Sequence, residues 1–416
     1  MTDVLIVGAG PAGLAAAVNL SCHGLADGLR IVDPSGTWLA AWRRRFAAQD
    51  IPILRSPAVH HPHPDPFALL EHAAGQGLVA SGGTQLPTAR TFDRFIDDLV
   101  ALRGLGDRVE PHAAVDLSVT GGGRAAVRLD SGEVVQPDRV VLATNARVPV
   151  VPEALTPAVV TGQVLSGDAP HVDRAPVGGR LAVIGAGLSA AHLALGAARR
   201  GAHVTLLARH RLRVRRFDTH PSWLGPRKRR PFEQEPDPHA RRRTIDTARG
   251  GGSIPARYRR ALDACVEAGQ LDLRERTTVI GCDAVGGMLV LVLDDDREVS
   301  VDEVWCATGG RLDVTADALC RPLMDRFPVI VANGLPDLAD DLAWPGTTVH
   351  LSGFGAGLRL GPTAGNLIGH RRAALRLTAA LRGDDPITAD RIATGPGACP
   401  VDRAPVTMAP AHGVTP

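Results

Sequence analysis

Short, wholly apolar runs alternate along this chain with longer stretches of helical period. In "DVLIV" (3–7) the four residues after Asp3 are an unbroken apolar run, the pattern of a strand buried on both faces of a parallel sheet, and "PAGLAAAVNL" (11–20) predicts a packed helix. The same succession returns at "RLAVI" (180–184), with a helix expected to run to about Arg199. "LRIVD" (29–33) and "HVTLLAR" (203–209) then predict the next strand of each unit. Residues 116–144 alternate apolar and polar positions around Gly121–Gly123 and a "DSG" turn, which predicts a small antiparallel meander. A second meander is predicted over 277–308. "ARGGGSIPARYRRALDA" (248–264) reads as a glycine turn before a helix. At 416 residues the chain exceeds a typical single core, so two domains are expected.

Between strand and helix each unit carries glycines at a telling spacing. In Gly8-x-Gly10-x-x-Gly13 the first glycine permits the tight turn, the second lets a pyrophosphate approach the backbone, and the third lets helix and strand pack closely. Pro11 and Ala12 open the helix, whose N-terminal amides face the phosphates. Asp33, followed by Pro34, stands where an acid holds a ribose hydroxyl. The second turn reads Gly185-x-Gly187-x-x-Ala190, with Ser189 in its first helical turn. Ala208 and Arg209 replace its acid, and an arginine there can grip a 2′-phosphate that a carboxylate would repel. The first site therefore suits a dinucleotide with a free ribose and the second NADPH; the bland alternative for Arg209 is a solvated surface arginine. One dinucleotide held as FAD and another arriving as NADPH would account for two sites in one chain.

Further segments bring the sequence close to a known family. "VVLATNARVPVVP" (140–152) and "VWCATGGRLDV" (304–314) have the form of strands at which a chain crosses between dinucleotide domains, the second keeping Ala307-Thr308-Gly309. With the two glycine turns they resemble the two-dinucleotide-domain flavoproteins, and within these the class B flavin-dependent monooxygenases. A finer likeness, in "ILRSPAVHHPHPDPFALLEHA" (53–73) and "LPTARTFDRFIDDLV" (86–100), is to the lysine/ornithine N-monooxygenases.

The resemblance implies an α/β fold of two Rossmann-like dinucleotide-binding domains, FAD and NADP, each with a parallel sheet and a small antiparallel meander. The FAD domain would be discontinuous, 1–160 and 315–385, with an NADP domain inserted at 161–314 and a disordered tail at 386–416. On the flavin side it implies Trp38, Trp42, Arg55, Val115, Ala143, Thr144, Gly353 and Phe354, with Gly361, Pro362 and Thr363 at a helix start. On the NADP side it implies Thr308 and Gly309. Leu165-Ser166-Gly167 and His171 resemble the class B fingerprint, with Leu165 and Ala175 in place of its aromatics. His171 would help hold NADP, or else face solvent between domains. The implied activity is NADPH- and O2-dependent hydroxylation of a small amine or other soft nucleophile, with the hard step on the cofactor. Arg55 and His171 are the candidate catalytic side chains. A flavin oxidoreductase without oxygenation and a redox-sensing flavoprotein are the rival readings, and a homo-oligomer stays open.

Composition narrows partners. Net charge is +2, and although residues 209–230 hold nine Arg or Lys against Asp218 alone, aromatics at 3% are too sparse for base-stacking platforms. A positive rim around an NADPH phosphate explains that stretch better than nucleic acid. The six cysteines are scattered with no C-x-x-C, and the longest apolar runs are too short to span a bilayer, which predicts a soluble cytoplasmic protein and no membrane partner. In "HHPHPDP" the prolines hold His60, His61, His63 and Asp65 extended, so no metal is expected; the stretch reads as a loop near flavin or substrate, or as surface.

Overall fold

The computed structural model describes residues 2–144, 147–167 and 178–392. His171, Asn145 and Ala175 lie outside the described residues. Along the chain, β1 (Val4–Val7), α1 (Pro11–Cys22) and β2 (Leu29–Val32) come first. Then follow α2 (Ala89–Leu102), β3 (Val109–Glu110) and β4 (Arg139–Leu142). A second series runs β5 (Val164–Ser166), β6 (Arg180–Ile184), α3 (Leu188–Arg199) and β7 (His203–Ala208). It continues through α4 (Pro226–Gln234), α5 (Pro238–Arg249), α6 (Ala256–Glu267), β8 (Leu271–Glu275) and β9 (Glu303–Cys306). The chain then returns to β10 (Val349–Leu351), α7 (Leu367–Arg382) and α8 (Pro386–Ile392).

Two five-stranded sheets result, ordered β10-β4-β1-β2-β3 and β5-β9-β6-β7-β8, with every pairing parallel. In both, the strand before the glycine turn is central, and a strand returning late in the series lies beside it. β1 is buried along its whole length, and its alternating residues feed two cores: Val4 and Ile6 on one face, Leu5 and Val7 on the other. α1 is buried nearly all round because it lies between the sheet and α7, so its sequence shows small apolar residues rather than an amphipathic stripe. Antiparallel meanders cover 114–135 and 279–301. A two-stranded ribbon, Arg147–Pro149 with Gly310–Leu312, joins the two series.

Two expectations need correction. Order does not end at residue 385: α8 is helical, and Asp390 on it is buried against Arg372, Arg376 and Arg229 at 2.7, 3.1 and 3.0 Å. Those guanidiniums hold its carboxyl at about 2 despite burial. Nor do Gly361–Thr363 begin a helix; α7 starts at Leu367, and a turn separates it from the short helix Gly357–Leu360. Gly361, at φ +79°, breaks the earlier helix. Among the described residues no helix is long and apolar enough to cross a membrane.

Candidate functional site

The first glycine turn is built by close backbone packing. Gly8 has φ +107°, and a Cβ there would sit 3.0 Å from the Ala143 carbonyl at the end of β4. A Cβ on Gly13 would fall 1.9 Å from the Gly8 carbonyl oxygen, so α1 approaches its own strand closer than any side chain allows. Gly10 is different: it caps α1 in extended conformation, and a Cβ on it would meet nothing within 4 Å. No side chain caps α1, so its first amides face that open space. Asp33 closes the turn from the side, its Oδ2 accepting from the Ala9 amide at 2.9 Å and its Oδ1 from the Ser35 amide and hydroxyl. Pro34 is exposed beside it.

The end of β10 completes this rim. The Ser352 amide donates to the Leu142 carbonyl, bringing Gly353 (φ +69°) to α1, where a Cβ would lie 3.8 Å from that of Ala12. Beneath it His370 is buried with Nδ1 unpartnered, and burial lowers its pKa to about 4. Phe354 lies under the Arg249 guanidinium, which also donates to the Pro362 carbonyl at 2.8 Å. Thr363 is buried, and Thr144 places its amide 3.4 Å from a Cβ on Gly8.

Three further candidates are held by contacts of their own. Trp38 is buried in the first core, its indole N–H donating to the Leu105 carbonyl at 2.8 Å, and Trp42 stacks on Phe46 at 4.4 Å. Val115 is exposed on the meander. Arg55 is a bridge between the two series, its guanidinium donating to the carbonyls of Arg215, Arg216 and Ser253 and to the Ser253 hydroxyl at 2.9–3.1 Å. Burial lowers its pKa, with Asp218 opposing.

At the second turn, Gly185 packs on the Ala307 carbonyl, 2.5 Å from a Cβ built there, and Ala190 is buried. Gly187 caps α3 without a side-chain partner. This pole is covered, however: a Cβ on Gly252 would lie 2.7 Å from Gly187 Cα and 2.8 Å from its nitrogen, so the 250–252 glycine loop rests on the helix start. Arg209 is exposed at the end of β7, and Ser189 is exposed on α3. Thr308 donates its hydroxyl to the Val150 carbonyl and Gly309 accepts from the Val150 amide, which commits both to the joining ribbon. Tyr258 packs edge-on against buried His192 at 4.4 Å.

The sequence reading missed the cover on α3 and Arg249; the triple glycine was the only signal for the former. "HHPHPDP" is not surface: His61 and His63 are buried, with His61 Nε2 beside the Pro66 carbonyl and His63 Nδ1 accepting from the Asp65 amide.

Residues 5–146 match the model of a family described as FAD-NAD(P)-binding. No curated protein matches the chain in sequence. Among solved structures the chain is similar to an ornithine N-hydroxylase of Kutzneria sp. 744, solved with reduced FAD, NADP+ and L-ornithine: TM-score 0.74, 16% identity, covering 92% of this chain and 99% of that one. It is also similar to a cadaverine monooxygenase of Erwinia amylovora bound to FAD, at TM-score 0.72 and 14% identity over 100% of both chains. An ornithine hydroxylase of Pseudomonas aeruginosa gives 0.71 and 16% over 92% and 99%. The chain thus has the two-domain fold of flavin N-monooxygenases, with an FAD-NAD(P)-binding first series.

Proposed function

We propose that this chain is an NADPH- and O2-dependent FAD monooxygenase that hydroxylates the nitrogen of a small amine. One observation carries the reading: two glycine turns lie on the central strands of two like-ordered parallel sheets, one with an open helix pole and one with a covered pole. An open, rigid cradle suits a resident dinucleotide, and a covered one suits a partner that must come and go. The fold shared with ornithine and cadaverine enzymes supports the substrate class.

In this reading residues 1–160 and 315–392 form the FAD unit and 161–314 the NADPH unit. The open side of Gly10, too bare for a side chain to fill and faced by uncapped amides, fits a pyrophosphate. Asp33 would accept from the ribose, and the Gly353 turn would close over the cofactor. Gly185, Gly187, Ala190 and the start of α3 would take the NADPH pyrophosphate once Gly252 moves away, and Arg209 the 2′-phosphate. FAD, when bound, would supply the redox chemistry of hydride uptake from NADPH and oxygen transfer to the amine. Arg55 acts as a positioning residue, fixing one unit against the other beside the 250–252 glycine loop.

The test supplies purified, FAD-loaded protein with NADPH and a panel of ornithine, lysine and cadaverine, and follows NADPH, O2, peroxide and hydroxylamine together. Hydroxylamine formed in step with NADPH consumption is expected for at least one amine. Peroxide alone, whatever the amine, would assign the chain to flavin oxidoreductases that do not oxygenate. Tight FAD with no NADPH oxidation would leave a redox-sensing flavoprotein.

A further inference from the structure

A cavity of about 250 Å³, none of whose lining residues belongs to either glycine turn, lies among the 59–67 loop, the Trp223–Arg229 segment, α7 and α8. Its walls are apolar at Phe67, Trp223, Leu224 and Leu375, and polar at His60 and Arg371. Arg371 is 4% exposed, yet among the described residues it makes no ion pair within 4 Å; one guanidinium nitrogen donates to the Val59 carbonyl at 3.0 Å. Asp65 and Asp390 act on it only at longer range. Asp390 is already committed to Arg229, Arg372 and Arg376, two of which also face the cavity. A buried guanidinium without a contacting anion costs several kcal/mol, so it is retained at a loss unless something completes it. Desolvation lowers the Arg371 pKa to about 10 and that of His60 to about 4, so the wall offers a charged Arg371 and a neutral imidazole, beside Arg229 and Arg372, which are already paired with the Asp390 carboxylate that lines the same wall.

We infer that this cavity is a binding site for a small organic carboxylate with an apolar body, its acid group paired with Arg371 and its body lying among Trp223, Phe67 and Leu375. The size agrees: an apolar cavity of about 150 Å³ takes a benzene ring, so this one has room for a ring and a short acid chain. A guanidinium with free N–H groups favours a planar anion over a cation or a neutral amide. The lining includes none of the residues assigned to the flavin cradle, and binding there is measured without the proposed reaction.

Calorimetric titration of the full-length protein with phenylacetate, and with phenylacetamide as the neutral isostere, tests it without any turnover. Phenylacetate is expected to bind at least tenfold more tightly than the amide. Arg371→Gln should abolish that preference, and Leu375→Phe, which fills the cavity and keeps the charge, should weaken the acid at least tenfold. Quenching of indole emission by phenylacetate should disappear in Trp223→Phe. Equal binding of acid and amide, no binding at millimolar concentration, or binding indifferent to Leu375→Phe would each overturn the site. The acid–amide comparison on the unaltered chain stands even if a variant fails to fold.

Discussion

The two glycine turns occupy the same place in two sheets of the same strand order, yet they are built to different tolerances. At the first, α1 lies so near β1 that the third motif position leaves no room for a methyl group. At the second, that position is Ala190, buried and accommodated. The difference reverses at the middle glycine: Gly10 borders open space, whereas Gly187 carries the backbone of Gly252. Tight packing behind a turn and free access in front of it are therefore separate properties, and this chain assigns them differently. The first turn excludes a side chain at its third position and is open in front; the second admits a methyl group there and is covered in front.

The most damaging way to break that contrast is Gly13→Ala. Its Cβ would meet backbone, the Gly8 carbonyl, which cannot swing aside, so a loss of about 3 kcal/mol or more is expected, with loss of flavin. The mirror change, Ala190→Gly, should cost only about 1 kcal/mol. Thermal unfolding of both variants decides; equal effects would mean the turns do not differ in packing. Next in size is Gly10→Ala. Its φ of −74° suits alanine and its Cβ meets no atom, so Tm of the flavin-free protein should stay within about 2 °C while FAD retention falls at least tenfold. Unchanged flavin content would remove the pyrophosphate from that position. At the second turn, Arg209→Ala should raise the KM for NADPH about tenfold or more, the worth of a charge-assisted contact, and leave that for NADH unchanged. A parallel rise in both would make Arg209 a general contributor to the domain.

What the sequence made legible follows this division between local and distant causes. The strands, the turns and the positive φ of Gly8 are properties of neighbouring residues, and a buried run with glycines at fixed spacing states them directly. The likeness to flavin N-monooxygenases, read from several such segments, agrees with the fold. What stayed illegible are contacts between residues far apart in the chain. Gly252 on Gly187 joins positions 65 apart, and Arg55 reaches carbonyls about 160 and 198 residues away. The stretch after Arg382 has the composition of a tail, but Asp390 finds three arginines that only the folded α7 and α4 present together. The indole of Trp38 bonds to the Leu105 carbonyl, a partner no local pattern predicts.

The smallest expected effect is the most informative about the second turn. Gly252 lacks a positive φ, so alanine suits its backbone, but the added methyl would press on Gly187 at 2.7–2.8 Å, against main-chain atoms. The substitution therefore penalises the covered arrangement and leaves the uncovered one alone. A penalty of about 1 kcal/mol shifts the balance roughly fivefold toward the open pole. If NADPH needs that pole free, its apparent affinity scales with the open fraction, so Gly252→Ala should lower the KM for NADPH by up to about fivefold, with flavin content unchanged. Gly251→Ala is the control: at φ +81° it strains the same loop, and its methyl would meet Arg213 rather than Gly187. A fall in KM with Gly252→Ala alone would mark the contact as a cover. A rise with both would make the loop part of the NADPH surface, and the second turn would then differ from the first in flexibility and not in access.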